Sequence, residues 1–85
     1  MLYVILVSHG EFAPGLHTAV RMIAGDRKNV LSVSLKDGMS CDSYAENFQK
    51  LTADITKEDK IVLLADIIGG SPLTAALKVL NDRGL

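Results

Sequence analysis

The sequence predicts a three-layer α/β fold: a doubly wound open sheet of parallel strands in the order 2-1-3, with helices on both faces. Three short apolar runs, at residues 2–7, 30–35 and 61–65, alternate with three segments whose apolar residues recur at helical spacing. A βαβαβα pattern joined by right-handed crossovers gives a parallel sheet wound outward from its middle. The runs also set the order. The first and third are apolar at successive positions, as strands covered on both faces are, and belong side by side, whereas the second alternates with Ser32 and Ser34 and reads as an edge strand.

The helices follow from spacing and end signals. In the first, Leu16, Val20 and Ile23, with Ala19, form a stripe that Pro14 opens and Gly25 closes. In the second, Tyr44, Phe48, Leu51 and Ile55 fall at i, i+4, i+7 and i+11, and Ser43 with Glu46 fits a capping box. The third starts at "GGSP", with Ser71 as N-cap and Pro72 as first helical residue, and runs through Leu73, Leu77 and Leu80 toward Gly84.

Eighty-five residues make one domain at most, and a hydrophobic fraction of 48% is high for so small a unit. Part of that surface is expected to be covered by a partner chain, so self-association is expected. Nine basic and ten acidic residues give a charge of -1 with no Lys or Arg cluster, which argues against nucleic acid. The single cysteine, Cys41, rules out an internal disulfide and sits in the polar stretch "KDGMSCDS", where nothing activates a thiol. Residues 61–65, the longest apolar stretch, fall far short of the ~20 needed to cross a bilayer. The expected location is the cytoplasm.

A 2-1-3 order has a switch point between strands 1 and 3, and ligands of open α/β sheets bind there, at the carboxyl ends of the strands. Two segments feed that crevice, "SHGEFAPG" and "DIIGGSP". Neighbouring strands are ~4.8 Å apart, so His9 and Asp66, 57 residues apart in sequence, are expected to meet. A carboxylate on Nδ1 would fix the neutral tautomer and leave Nε2 as a nucleophile. Gly69 and Gly70 permit close backbone approach, Ser71 adds a hydroxyl, and the first N–H groups of the third helix, with Gly10 opposite, suit an anion. These residues describe a histidine that takes a phosphoryl group. No GxxxxGK[ST] or acidic magnesium cluster is present, so the donor is expected to be an activated phosphoryl carrier, with no cofactor or metal.

"VILVSHGEFAPGL" and "LLADIIGGSP" together resemble the IIA component of the mannose/fructose/sorbose family of the bacterial sugar phosphotransferase system. The resemblance covers nearly the whole chain. It implies that His9 accepts phosphate from the carrier protein HPr, at Nε2, and passes it to a IIB component, with Asp66 orienting the ring and Ser71 beside the phosphate. It further implies a homodimer associated indirectly with membrane permease subunits. Family domains continue beyond the third helix, so these 85 residues read as the N-terminal part of a longer domain whose third strand is left as a bare edge. Departing from the family pattern, "DII" stands where an aromatic often follows the Asp and Leu.

Competing readings are a IIA-like domain that dimerises or regulates without transferring phosphate, a small metal chelatase using His9 as ligand, and a histidine phosphatase. The phosphatase reading is weakened by Ser8 at the position of its arginine. His17 is expected on the surface and Glu11 to be solvated, while Phe12 and Met39 suit either packing or protein docking.

Overall fold

The computed structural model describes residues 1–85. Its elements are β1 (Leu2–His9), α1 (Phe12–Ala24), β2 (Val30–Leu35), α2 (Cys41–Leu51), β3 (Lys60–Ala65) and α3 (Ser71–Asp82). The strands are all parallel and ordered β2-β1-β3, the expected topology. Val7 lies opposite Val33 on one side and Ala65 on the other. The ladder to β2 continues to His9, opposite Leu35, so the histidine is the last residue of the strand rather than the first of the loop.

Residues of alternate parity face opposite sides of a sheet. Ile5 and Val7 face α2 and α3, where with Tyr44, Phe48, Ile55, Ala76, Val79 and Leu80 they form the core. Leu31, Val33, Ile61 and Leu63, the inward positions of the flanking strands, pack against it. The second helix's stripe is thus confirmed, although α2 ends at Leu51 and Ile55 reaches the core from the following turn. Arg83 joins the far ends of the two helices: its guanidinium donates to the carbonyls of Thr52 and Ile55, both at 2.9 Å, placing a cation on the C-terminal end of α2.

On the other face α1 crosses β1 and β2, and here the pattern misleads. Of its residues only Ala13 is buried; Leu16 is exposed, Val20 half-buried and Ile23 88% exposed. A helix ~10 Å across does not span three strands ~4.8 Å apart, so Val62 and Leu64 of β3 remain partly open to solvent beside it. The apolar stripe exists, but no layer covers its outer part.

The helix starts also shift. α1 opens at Phe12, with Pro14 third, where its missing N–H had no intrahelical acceptor to lose. The cap of α2 is Ser40, whose Oγ accepts from the Ser43 N–H at 3.1 Å, rather than a Ser43–Glu46 box; Cys41 accordingly begins the helix instead of lying in a loop. The cap of α3 is Gly70, not Ser71, which becomes the first helical residue, followed by Pro72. His17 is half-buried under α1, its Nδ1 sharing a 2.7 Å hydrogen bond with Ser32 Oγ of β2; burial first, and then Arg21, hold its pKa below the usual range. No helix is long and apolar enough to cross a membrane.

Candidate functional site

The crevice at the carboxyl end of the sheet is organised by β1. Its penultimate residue, Ser8, is fully buried, donates through Oγ to the His9 carbonyl at 3.0 Å and accepts the Ala13 N–H at 2.7 Å. That pair of bonds ties the strand end to the first turn of α1. Ser8→Ala leaves the Ala13 N–H buried without an acceptor and is expected to cost about 1 to 3 kcal/mol, read as a lowered melting temperature. Gly10 then turns the chain with φ 57, in the left-handed region that a β-carbon disfavours. Its N–H, expected to face an anion, instead donates to the Leu35 carbonyl at 2.9 Å, because the β1–β2 ladder runs one step further than the apolar pattern suggests. The role of Gly10 here is the turn.

His9 and Asp66 meet as expected. One carboxylate oxygen, Oδ2, lies 3.1 Å from His9 Nδ1 and accepts the His9 main-chain N–H at 3.1 Å. The His9 main-chain N–H above all holds the Asp66 carboxyl below its ordinary pKa; burial pushes the other way, and the ring adds to the lowering. With the carboxylate ionised, Nδ1 carries the proton and Nε2 the lone pair. The His9 side chain is 45% exposed and that of Asp66 18%, so the ring opens outward and its anchor lies beneath.

Asp66 follows β3, and the turn behind it brings Gly70 against the imidazole. A β-carbon at Gly70 would sit 3.2 Å from His9 Cε1. Its φ of -74 suits any residue, so the requirement is space for the ring. Gly70→Ala therefore displaces the imidazole by a few tenths of an ångström without straining the backbone, and labelling of His9 by a phosphoryl donor is expected to slow roughly tenfold with the melting temperature little changed. Gly69, at φ 82, makes the turn itself. Below it, the buried Tyr44 hydroxyl donates to the Pro72 carbonyl at 2.8 Å, pinning the first turn of α3 to α2; burial first, and then the Asp66 charge, keep its pKa well above the usual tyrosine value.

His9, Asp66 and Gly70 are thus brought together. Ser71 instead lines a neighbouring cleft of about 400 Å³ with Gly69, Cys41, Thr74 and Lys78. By helix geometry the N–H groups of Ser71 and Leu73 lack intrahelical acceptors, while Pro72 has none to offer. Sequence reasoning passed over two contributors. Ser8 gave no signal beyond its place before His9. The β2–α2 loop forms the other wall of a cleft of about 370 Å³ in which His9 and Gly10 face Lys36, Asp37 and Gly38. Its position after a parallel strand was the available signal. Lys36 pairs with Glu11, which therefore has a charged partner. No group of three His, Cys, Asp or Glu side chains that could hold a metal ion is gathered.

The geometry defines a class: an open parallel α/β domain presenting a carboxylate-oriented, solvent-facing histidine at its switch point. Residues 3–84 match the family model EIIA-man, described as PTS system fructose IIA component. The chain belongs to this family of phosphotransferase-system EIIA domains. It is 33% identical over 82 residues to the PTS system fructose-specific EIIA component of Bacillus subtilis strain 168, covering 96% of this chain and 56% of that protein. It is 25% identical to the PTS system mannose-specific EIIAB component of Escherichia coli K12, covering 94% of this chain and 25% of that protein. Among solved structures, the phosphotransferase system component EIIA from Streptococcus agalactiae superposes with a TM-score of 0.82 at 27% identity, covering 96% of this chain and 61% of that one. The chain thus spans little more than half the length of its fructose-type relative.

Proposed function

We propose that this domain is a phosphoryl carrier of a sugar phosphotransferase system, acting in the cytoplasm. His9 accepts a phosphoryl group from phospho-HPr and yields it to a IIB component, in a homodimer that meets membrane permease subunits only indirectly. The observation that carries this reading is the 3.1 Å contact between Asp66 Oδ2 and Nδ1 of a ring 45% exposed to solvent. Family membership supports it.

The transfer balances without a mobile proton. The Nε2 lone pair attacks phosphorus, the bond from phosphorus to the nitrogen of a donor phosphohistidine breaks, and the donor ring, already protonated on its other nitrogen, leaves as a neutral imidazole with that electron pair. His9 then holds phosphorus on Nε2 and a proton on Nδ1, and the positive charge this gives the ring faces the Asp66 carboxylate. The N–H groups of Ser71 and Leu73, at the positive end of α3, suit the phosphoryl oxygens, with Gly70 against the ring and Gly69 and the Ser71 hydroxyl lining the neighbouring cleft. Such a site supplies position and charge, which is most of what phosphoryl transfer needs.

Incubation with phosphoenolpyruvate, enzyme I and HPr is expected to give an acid-labile, base-stable phosphoprotein whose label maps to His9 Nε2. A label on any other residue, or none, overturns the reading. The bare β3 edge favours one alternative, a IIA-like domain that only dimerises, and that alternative predicts self-association with no label.

A further inference from the structure

We propose that Lys36 is a phosphoryl-binding residue of this site: when His9 carries the group, the Lys36 ammonium leaves Glu11 and pairs with the phosphoryl oxygens. The proposal rests on the reading that His9 is a phosphoryl carrier. Its ground is a juxtaposition across the crevice, where a cation whose only ion partner is a surface glutamate shares a cleft with the imidazole.

The β1–β2 ladder sets the separation. His9 is paired with Leu35, and the Gly10 N–H closes on the Leu35 carbonyl at 2.9 Å, so Lys36 is the first residue past the ladder, across from Gly10. Neighbouring strands are ~4.8 Å apart, a gap that the flexible stem of a lysine spans. Asp66 takes Nδ1 and Gly70 stands against Cε1, both from the β3 side. That leaves the ring's other edge for the β2 side, where His9 and Lys36 line the same cleft of about 370 Å³.

Charge decides what Lys36 does there. Asp66 lies beneath the ring, Asp37 lines the cleft and Glu11 follows His9 by two residues, so a group that adds up to about two negative charges enters surroundings already acidic. Lys36 is the only lysine or arginine lining that cleft. Its bond to Glu11 holds it loosely, because the two side chains are 48% and 76% exposed and an ion pair so open to water contributes little. A phosphoryl dianion offers more charge and more oxygens. Lys36 therefore changes partners at small cost, Glu11 is left to water, and the α3 N–H groups and Lys36 hold the group from opposite walls of the crevice.

Phosphoramidate, a small donor that needs no protein docking, isolates the step on the full protein. Lys36→Met is expected to slow its labelling of His9 about tenfold, and Lys36→Arg, which restores the charge, to return the rate to within about threefold of wild type. Glu11→Gln frees the ammonium and removes a repelling charge, so its labelling should run about twofold faster than wild type. Lys50→Met breaks an exposed ion pair on α2 and changes the net charge equally, and should leave the rate as it is. In the phosphorylated protein, phosphorus NMR should show the phosphoryl group titrating about half a pH unit higher in Lys36→Met than in wild type, since the cation that favours the dianion is gone. A pair that merely clamps α1 to the β2–α2 loop predicts equal slowing in Lys36→Met and Glu11→Gln, and that result overturns the proposal. An unchanged rate or an unshifted titration in Lys36→Met overturns it too, as does equal slowing in Lys50→Met, with the carrier reading left standing in each case. Wild-type protein left unlabelled by phosphoramidate and by phospho-HPr overturns the carrier reading, and the role of Lys36 with it.

Discussion

His9→Ala is expected to abolish the acid-labile phosphoryl label completely, with phospho-HPr and with phosphoramidate alike, in a protein that remains folded. The ring is nearly half exposed and makes one side-chain hydrogen bond, to Asp66. It belongs to no part of the buried core, so its removal takes away little packing. A complete loss of label at an unaltered circular dichroism spectrum then reports chemistry alone. His17 provides the internal control, since its Nδ1 is bonded to Ser32 and its Nε2 is buried without a partner, out of reach of a phosphoryl donor. Residual label after the substitution would mean that another nucleophile is used.

Asp66→Asn is expected to keep the fold and slow His9 labelling by about 10² to 10⁴, the scale seen where an orienting carboxylate is exchanged for an amide. The amide oxygen can still accept the His9 main-chain N–H. The same oxygen position also meets Nδ1, but as a neutral acceptor it holds the ring proton there less firmly than the carboxylate does, so more of the ring carries its proton on Nε2 and lacks the attacking lone pair. The amide also leaves the charge on the phosphorylated ring unopposed. The same substitution tests the acid side of the stability curve. Because the folded carboxyl titrates below its unfolded value of about 3.9, its contribution to stability is fully present above that pH and is lost as pH falls through the lower folded value. Melting temperatures followed from pH 6 downward should therefore fall less steeply below about pH 4 in Asp66→Asn than in wild type. Parallel curves would show that the ionised carboxylate is not held by His9.

Much of this fold was legible because β1 and β3 carry continuous apolar runs and α2 a stripe from Tyr44 to Leu51, and the core they make needs little else. The meeting of His9 and Asp66 followed from strand adjacency at a switch point. Details set by single hydrogen bonds were not legible. The ladder consumes the Gly10 N–H because β1 runs on to His9, and a helix shifted by one residue makes Gly70 the cap in place of Ser71. Leu16 and Ile23 misled for a different reason. Periodicity tells which side of a helix is apolar, but not whether anything lies over it, and α1 covers only two of the three strands.

The bonding of Asp66 has a consequence for how the imidazole can move. Its Oδ2 holds the main-chain N–H of the same residue whose ring it steadies, so when the side chain swings outward the carboxylate keeps a donor and is never orphaned. Rotation of the imidazole outward therefore forfeits the ring contact alone, while the carboxylate keeps its main-chain donor as an anchor that stays in place.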